Sequence, residues 1–161
     1  MRPRPGTLAL RYVVSGAVGD LKLPGAKASA RADDLWRSTC FEAFVRPAAG
    51  AAYAEVNLAP STEWAAYRFL GYRAGMSIAH EIGAPAIQLQ TEADCFTLQA
   101  VFTLGPLAGL TGDAPWRVGL SAVIEETNGR KSYWALAHPP GKADFHHSVC
   151  FGLELAAPSR V

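Results

Sequence analysis

Acidic, amide, guanidinium and aromatic side chains gather in one stretch of the sequence, residues 35–70. In its first two segments, apolar and polar residues alternate. Apolar side chains occupy one set of alternate positions, and Glu42, Glu55 and Asn57 occupy positions of the other set. Sugar hydroxyls bind fixed carboxylate, amide and guanidinium groups, and the C–H faces of sugars pack on flat aromatic rings. The stretch therefore predicts a surface that binds a small polar ligand rather than one that performs a reaction.

A short turn between the first two segments predicts which of these side chains are neighbours. If the hairpin closes at the strand ends, Glu42 lies opposite Asn57 and Phe44 lies opposite Glu55. Directly opposed side chains are about 4.5–5.5 Å apart at Cβ, so each pair is close enough for contact. A carboxyl and an amide are thus expected to form one polar patch.

The same reasoning, applied to the following turn, places Glu55 opposite Arg68. It also places the Trp64 side chain on the same face as the polar patch. Trp36, just upstream of the first strand, shares the parity of Glu42. A plainer interpretation stays open, in which Glu55 and Arg68 form an ordinary cross-strand ion pair and Trp64 covers the core. Trp36 and Glu42 together carry the binding hypothesis.

Period-two alternation of apolar residues, which is typical of β-strands, recurs along most of the chain. It predicts strands over residues 7–15, 40–46, 53–59, 65–69, 87–90, 96–104, 116–124, 133–137 and 149–155. Asn128–Gly129 between two of these segments predicts a hairpin turn, because both residues tolerate positive φ. Residues 107–110 have room for one helical turn. These patterns predict an all-β fold, an antiparallel β-sandwich of jelly-roll or immunoglobulin-like type with roughly eight to ten strands.

Composition restricts the classes of partner. The 161 residues suit one domain over 1–161, with 50% hydrophobic residues, 18% charged residues and a net charge of +1. Without a basic stripe or a long apolar run, no nucleic-acid partner and no membrane partner are expected. No signal peptide is recognised, which favours the cytoplasm. Cys40, Cys95 and Cys150 are widely spaced and odd in number, so we expect buried free thiols.

Several runs resemble the DOMON-like domains related to family 9 carbohydrate-binding modules. They are LWRSTCFEAFV, YAEVNLAPSTEWAAYRF, YWALAHPP and CFGLEL, and the resemblance covers roughly residues 8–155. In that family a tryptophan near the start of a strand is followed six residues later by a glutamate, as Trp36 is by Glu42 here. The resemblance implies a single DOMON-like β-sandwich that binds a carbohydrate or another small ligand and has no catalytic machinery.

The sugar-binding members of that family hold a terminal sugar between two tryptophans, helped by acidic, amide and arginine side chains. Trp36 and Glu42 match by spacing, Trp134 is the second aromatic candidate and Arg68 is the arginine candidate. The family's late asparagine has no counterpart in residues 135–138. The full set of expected ligand-binding residues is Trp36, Glu42, Asn57, Arg68, Trp134 and His138.

Two other functions remain open on the sequence alone. An enzyme would use Glu42 and Glu55, or the histidine-rich loop 138–147, for acid–base chemistry. An interaction module would use the same sheet face to dock a partner protein. Neither a nucleophile motif nor a nucleotide-binding glycine motif occurs in the chain.

No cofactor is expected. His146 and His147 are adjacent, and neighbours on a strand point to opposite faces, which disfavours one shared metal. A calcium site at Glu125–Glu126 is the alternative that stays open. Haem is disfavoured, since Met1 and Met76 are the only methionines that could serve as an axial ligand. The sequence leaves the oligomeric state open.

Overall fold

A computed structural model describes residues 1–4, 6–104, 110 and 114–157. The strands in this part of the chain are β1 (Thr7–Ser15), β2 (Cys40–Pro47), β3 (Tyr53–Leu58), β4 (Trp64–Phe69), β5 (Ser77–Ile78), β6 (Ala86–Thr91), β7 (Cys95–Thr103), β8 (Trp116–Glu125), β9 (Lys131–Ala135) and β10 (Leu153–Leu155). Three single-turn 3-10 helices accompany them, at Val18–Asp20, Leu35–Arg37 and Ser148–Cys150. No α-helix occurs among the described residues.

The strands form two antiparallel sheets. The small sheet has the order β1-β7-β6, and the large sheet has the order β10-β8-β2-β3-β4-β5, with β9 also paired to β8. All strand pairs within them are antiparallel. The predicted all-β antiparallel sandwich is therefore confirmed.

The main core lies between the two sheets and follows the alternation of each strand. Phe41, Ala43 and Val45 of β2 face it, and so do Trp116 and Val118 of β8. The small sheet contributes the alternating apolar residues of its own strands, Leu8, Phe96, Leu98, Ala100 and Phe102. Full burial of one such large side chain stabilises the fold by about 1.5–3 kcal/mol. We call the side of the large sheet that faces this core the inner face.

The opposite side of the large sheet, the outer face, is also covered. A second apolar cluster lies there, in which Phe145 and Phe151 of the segment before β10 pack on the sheet. As a result all six residues of β3 are buried. A strand of an antiparallel sheet usually has one solvated face, so polar residues on β3 are in an unusual environment.

The hairpin at Asn128–Gly129 forms as predicted. Gly129 has a φ of 87°, and the amide of Glu126 donates to the carbonyl of Arg130 at 2.8 Å. This turn sets the register of β8 and β9, in which Val123 pairs with Tyr133.

The strand predicted over residues 149–155 is only partly present. Residues Ser148–Cys150 form a 3-10 helix, and β10 begins at Leu153. The helix lies against β8, where the carbonyl oxygen of Cys150 would be 2.9 Å from a Cβ at Gly119. Glycine at 119 permits this approach, and the backbone turns at Cys150 instead of continuing as a strand.

Three smaller outcomes complete the comparison. Cys40 and Cys150 are buried free thiols, and Cys95 is a free thiol of intermediate exposure. The helical turn considered at residues 107–110 lies outside the described residues, apart from Leu110. The described part of the chain holds no helix of the length and hydropathy needed to cross a membrane.

Candidate functional site

The hairpin of β2 and β3 has the predicted register. Glu42 pairs with Asn57, and Phe44 pairs with Glu55. All four side chains have the parity of the outer face. The polar patch predicted from the first hairpin is therefore present, but it lies in a covered region and not in open solvent.

The pairing predicted for the next hairpin is wrong by one residue. The turn closes with the amide of Ala59 donating to the carbonyl of Glu63 at 2.9 Å, and Thr62 adopts a left-handed conformation with φ of 68°. Glu55 consequently pairs with Tyr67, and Ala54 with Arg68. Because side chains alternate, a slip of one residue moves every side chain of β4 to the other face.

Trp64 and Arg68 therefore do not belong to the polar patch. Trp64 is buried in the main core, with the Arg31 guanidinium 4.1 Å from its ring centre. Arg68 forms an ion pair with Glu81 at 2.5 Å. The arginine expected to serve the ligand is thus on the wrong face, and the expected pair of Glu55 with Arg68 does not form.

An open cavity of about 630 Å³ lies on the outer face, and Glu42 and Glu55 both line it. We call it the carboxyl cavity. Its other lining residues come from the sheet and from three loops: Asp33, Asp34, Trp36, Tyr67, Phe69, Arg73, Met76, Ile78, Val123, Tyr133, Ala143, Phe145 and His146. Of the six predicted ligand-binding residues, Trp36 and Glu42 line this cavity.

Glu42 is a buried acid with few polar partners. Its side chain is on the outer face of β2, and the residue is 3% exposed. The Ser121 hydroxyl donates a hydrogen bond to its Oε2 at 3.1 Å. Burial and the neighbouring charge of Glu55 raise the pKa of Glu42 to about 8. At neutral pH Glu42 is therefore mostly a neutral carboxylic acid, which can donate a hydrogen bond as well as accept one.

Glu55 is the second buried acid of the carboxyl cavity. Asn57 donates from Nδ2 to Oε1 at 2.8 Å, and Nε2 of His146 lies 3.8 Å from Oε2. Burial raises the pKa of Glu55, and the Asn57 hydrogen bond and the charge of Arg73 act against that rise. Asn57 is buried and does not line the cavity, and its Oδ1 has no hydrogen-bond partner among the described residues.

His146 connects Glu55 to a tyrosine. Its Nδ1 lies 2.7 Å from the Tyr53 hydroxyl, whose oxygen also accepts from the Arg73 amide at 3.2 Å. The Tyr53 proton is then available to Nδ1, which leaves the histidine proton on Nε2, facing Glu55. Burial, with the charge of Arg73, lowers the pKa of His146 to about 4, so the ring is neutral at pH 7.

Arg73 is the cation of this site, and the sequence analysis missed it. Its Nη2 lies 2.7 Å from Oδ1 of Asp144, and the Tyr72 hydroxyl donates to Oδ2 of the same carboxylate. These bonds join the loop after β4 to the loop before Ser148–Cys150, beside the cavity. Arg73 has a left-handed backbone with φ of 51°, inside a turn where period-two parity predicts nothing.

The exposed aromatic residues at the mouth of the cavity are Trp36 and Tyr133, each 51% exposed. Trp134 has the opposite parity, because it pairs with Ala122, and it lines a different cavity. Tyr133, opposite Val123, is the aromatic that β9 brings to the outer face. The Asn128–Gly129 turn predicts this arrangement. Counting strand pairs outward from the turn gives the face on which Tyr133 and Trp134 lie.

His138 lies apart from the carboxyl cavity. It is exposed, and its ring centre is 6.1 Å from that of Phe145. His146, from the same histidine-rich loop, is the one that lines the cavity.

Acidic, histidine and methionine side chains, which can bind metal ions or haem, line the carboxyl cavity. In the part of the chain that the structure describes, no three His, Cys, Asp or Glu residues converge as metal ligands. Glu125 pairs with Lys22 at 3.1 Å. Met76 and His146 both line the cavity, but Nδ1 of His146 faces Tyr53 and Nε2 faces Glu55. Both ring nitrogens of His146 thus face protein groups.

Comparison of the chain with protein-family models, curated proteins and solved structures finds no match. The fold and the site define the class: an all-β antiparallel sandwich with a cavity over two buried carboxyl groups on the outer face of its large sheet.

Proposed function

We propose that the carboxyl cavity binds a small hydroxyl-bearing ligand, a carbohydrate, without changing it chemically. The observation that carries this proposal is the pair of buried carboxyl groups, Glu42 and Glu55, lining an open cavity with Trp36 and Tyr133 at its mouth. The resemblance to carbohydrate-binding modules points to the same class of ligand.

The carboxyl groups are poorly explained by stability. Burying an acid costs free energy, and a well-packed apolar residue in its place is often neutral or stabilising. Glu42, with its pKa of about 8, has one hydrogen bond from Ser121, and Glu55 has one from Asn57. A ligand hydroxyl both donates and accepts, so it can serve a carboxyl group in either protonation state.

The aromatic residues and the size of the cavity agree with a sugar. Trp36 and Tyr133 present flat surfaces that keep half of their area in solvent. Such rings pack against sugar C–H groups at small entropic cost. The volume of about 630 Å³ lies within the range of roughly 300–1,000 Å³ that is usual for small-ligand sites.

Calorimetry with a panel of mono- and disaccharides tests the proposal. We expect at least one sugar to bind the wild type and Trp36→Ala to weaken that binding by about tenfold or more, since stacking area is lost. Trp134→Ala is the matched control, because that tryptophan is also exposed but lines another cavity. Silence across the panel, or equal loss in both variants, would overturn the proposal.

The alternative candidate is a glycoside hydrolase, and one observation favours it. Glycosidases pair a neutral carboxylic acid with a carboxylate, and here the pKa of Glu42 is raised to about 8, while the smaller rise that burial causes in the pKa of Glu55 is opposed by Asn57 and Arg73. If the protein releases nitrophenol from any of a panel of nitrophenyl glycosides, and Glu42→Gln abolishes that release, the function is hydrolysis and not binding alone. Sugar binding without any nitrophenol release would support the binding function.

A further inference from the structure

A second cavity, of about 640 Å³, opens between the edges of the two sheets. We call it the edge groove. Strand β1, the edge strand of the small sheet, forms one wall, and β8 with β9 forms the other. We infer that the edge groove binds a small amphipathic carboxylate, with its apolar body between the sheets and its anionic group at Arg11.

The walls of the groove are apolar and open to solvent. Val13, Trp134 and Leu136 line it, and each is more than half exposed. The buried ring of Phe41 is also part of the lining, and the Tyr12 ring is 5.0 Å from it between centroids. Large apolar side chains that converge on one cavity while remaining exposed are typical of a ligand site.

The polar groups of the groove are mostly used by the protein itself. The Tyr12 hydroxyl donates to the Glu42 carbonyl at 2.7 Å, so the groove meets the tyrosine ring rather than a free hydroxyl. The Trp134 Nε1 donates to the Ser132 hydroxyl at 2.9 Å, and Ser121 donates to Glu42. The groove therefore suits a largely apolar molecule and not a polyhydroxyl one.

One charge in the groove is left for a ligand. Its charged lining residues are Arg11 and Glu126. Glu126 accepts hydrogen bonds from Arg130 and from Asn128, so its charge is compensated. Arg11 has no hydrogen bond or ion pair with any described residue. A guanidinium beside an apolar cavity is complementary to a carboxylate, which it can bind through two parallel N–H donors.

The inference does not depend on sugar binding. The edge groove lies on the inner side of the large sheet, where Trp134 and Ala122 line it, whereas the carboxyl cavity lies on the outer face. A ligand in either cavity has its own aromatic marker, Trp134 or Trp36. The two sites can thus fail or succeed separately.

Calorimetry with decanoate, decanol and decyltrimethylammonium tests the inference on the full chain. Decanoate should bind wild type most tightly, because it combines the apolar body with the complementary charge. Arg11→Gln should weaken decanoate binding about tenfold and leave decanol unchanged, as expected for loss of a charge-assisted contact. Trp134→Ala should weaken the binding of decanoate and of decanol. Trp36→Ala is the control and should weaken the binding of neither.

An anionic amphiphile could also be part of a lipid bilayer, so a second arm uses vesicles. Sedimentation with phosphatidylglycerol–phosphatidylcholine vesicles should leave the protein in the supernatant while free decanoate binds. Pelleting without decanoate binding would overturn the inference in favour of a bilayer surface. Absence of decanoate binding, equal binding of the cationic amphiphile, or an unchanged affinity in Arg11→Gln would also overturn it.

Discussion

The two faces of strands β2 and β3 are equally covered but chemically opposite. The inner face presents Phe41, Ala43 and Val45 on β2 to the second sheet, where they join the main apolar core. The outer face presents Glu42 and Glu55 to a cavity that is also lined by three loops. Alternation along the same few residues thus separates a face that stabilises the fold from a face whose ionisable groups cost stability.

The largest expected effect is on the inner face. Phe41→Ala removes a fully buried ring that packs on Phe96 at 5.9 Å between centroids. We expect the free energy of unfolding to fall by about 3–5 kcal/mol, since the lost burial is joined by the cost of a cavity. Chemical denaturation measures it. Val101→Ala, at an exposed position of β7, is the control, and a loss near that control would show that the inner face is not the main core.

The second effect is the pH dependence contributed by Glu42 on the outer face. Its pKa is raised from 4.5 to about 8 on folding, so the folded protein holds a proton that the unfolded chain releases. That contribution to stability is complete below pH 4.5 and is lost as the pH rises through 8. The free energy of unfolding of Glu42→Gln minus that of wild type should therefore increase by about 2–4 kcal/mol between pH 4.5 and pH 8.

Denaturation curves at several pH values measure this difference. Glu154→Gln, which removes an exposed carboxylate paired with Arg117, is the control variant. A parallel pH dependence in wild type and Glu42→Gln would mean that Glu42 is not the buried acid described here.

His146 gives a smaller effect of opposite sign. Its pKa falls from 6.5 to about 4 on folding, so its contribution to stability is present above pH 6.5 and is lost as the pH falls to 4. In His146→Asn the fall in stability over this window should be smaller than in wild type by about 1 kcal/mol, after allowance for partial exposure. His138→Asn, at an exposed histidine, is the control variant. An identical fall in both variants would contradict the burial of His146.

The smallest effect concerns Arg68, which lies on the inner face. Arg68→Ala breaks a partly exposed ion pair with Glu81 and should cost about 0.5 kcal/mol or less. Arg73→Ala should cost more, because it releases Asp144 and the contact between two loops. Thermal denaturation of the two variants compares them, and an Arg68 effect equal to that of Arg73 would contradict the assignment of Arg73 to the site.

The alternation of apolar and polar residues predicted most of the strands. It also predicted which side chains of β2 and β3 lie on each face of the sheet, but not those of β4. The parity of β2 and β3, and the hairpin at Asn128–Gly129, followed from residue types and turn chemistry. The register of β4 did not, because it depends on the left-handed conformation of Thr62, which no residue preference signals. Arg73 and His146 lie in loops, where tertiary contacts and not periodicity decide position.

The pairing of β9 with β8 could be predicted from the sequence, although the expected binding residues did not follow from it. The Asn128–Gly129 turn places Tyr133 opposite Val123 and Trp134 opposite Ala122. Trp134 was instead chosen by resemblance, and the structure puts it in the edge groove. In β9, parity counted from the Asn128–Gly129 turn is thus a better guide to the carboxyl cavity than residue type.

The most direct test of the carboxyl cavity is to follow the four tryptophan indole N–H signals by ¹H–¹⁵N NMR during titration with a sugar that binds. Trp64 and Trp116 are buried, so Trp36 and Trp134 are the reporters of the two cavities. Binding in the carboxyl cavity should shift the Trp36 signal in a saturable manner and leave the Trp134 signal in place. A saturable shift of Trp134 alone, or no shift of Trp36 at saturation, would contradict the account.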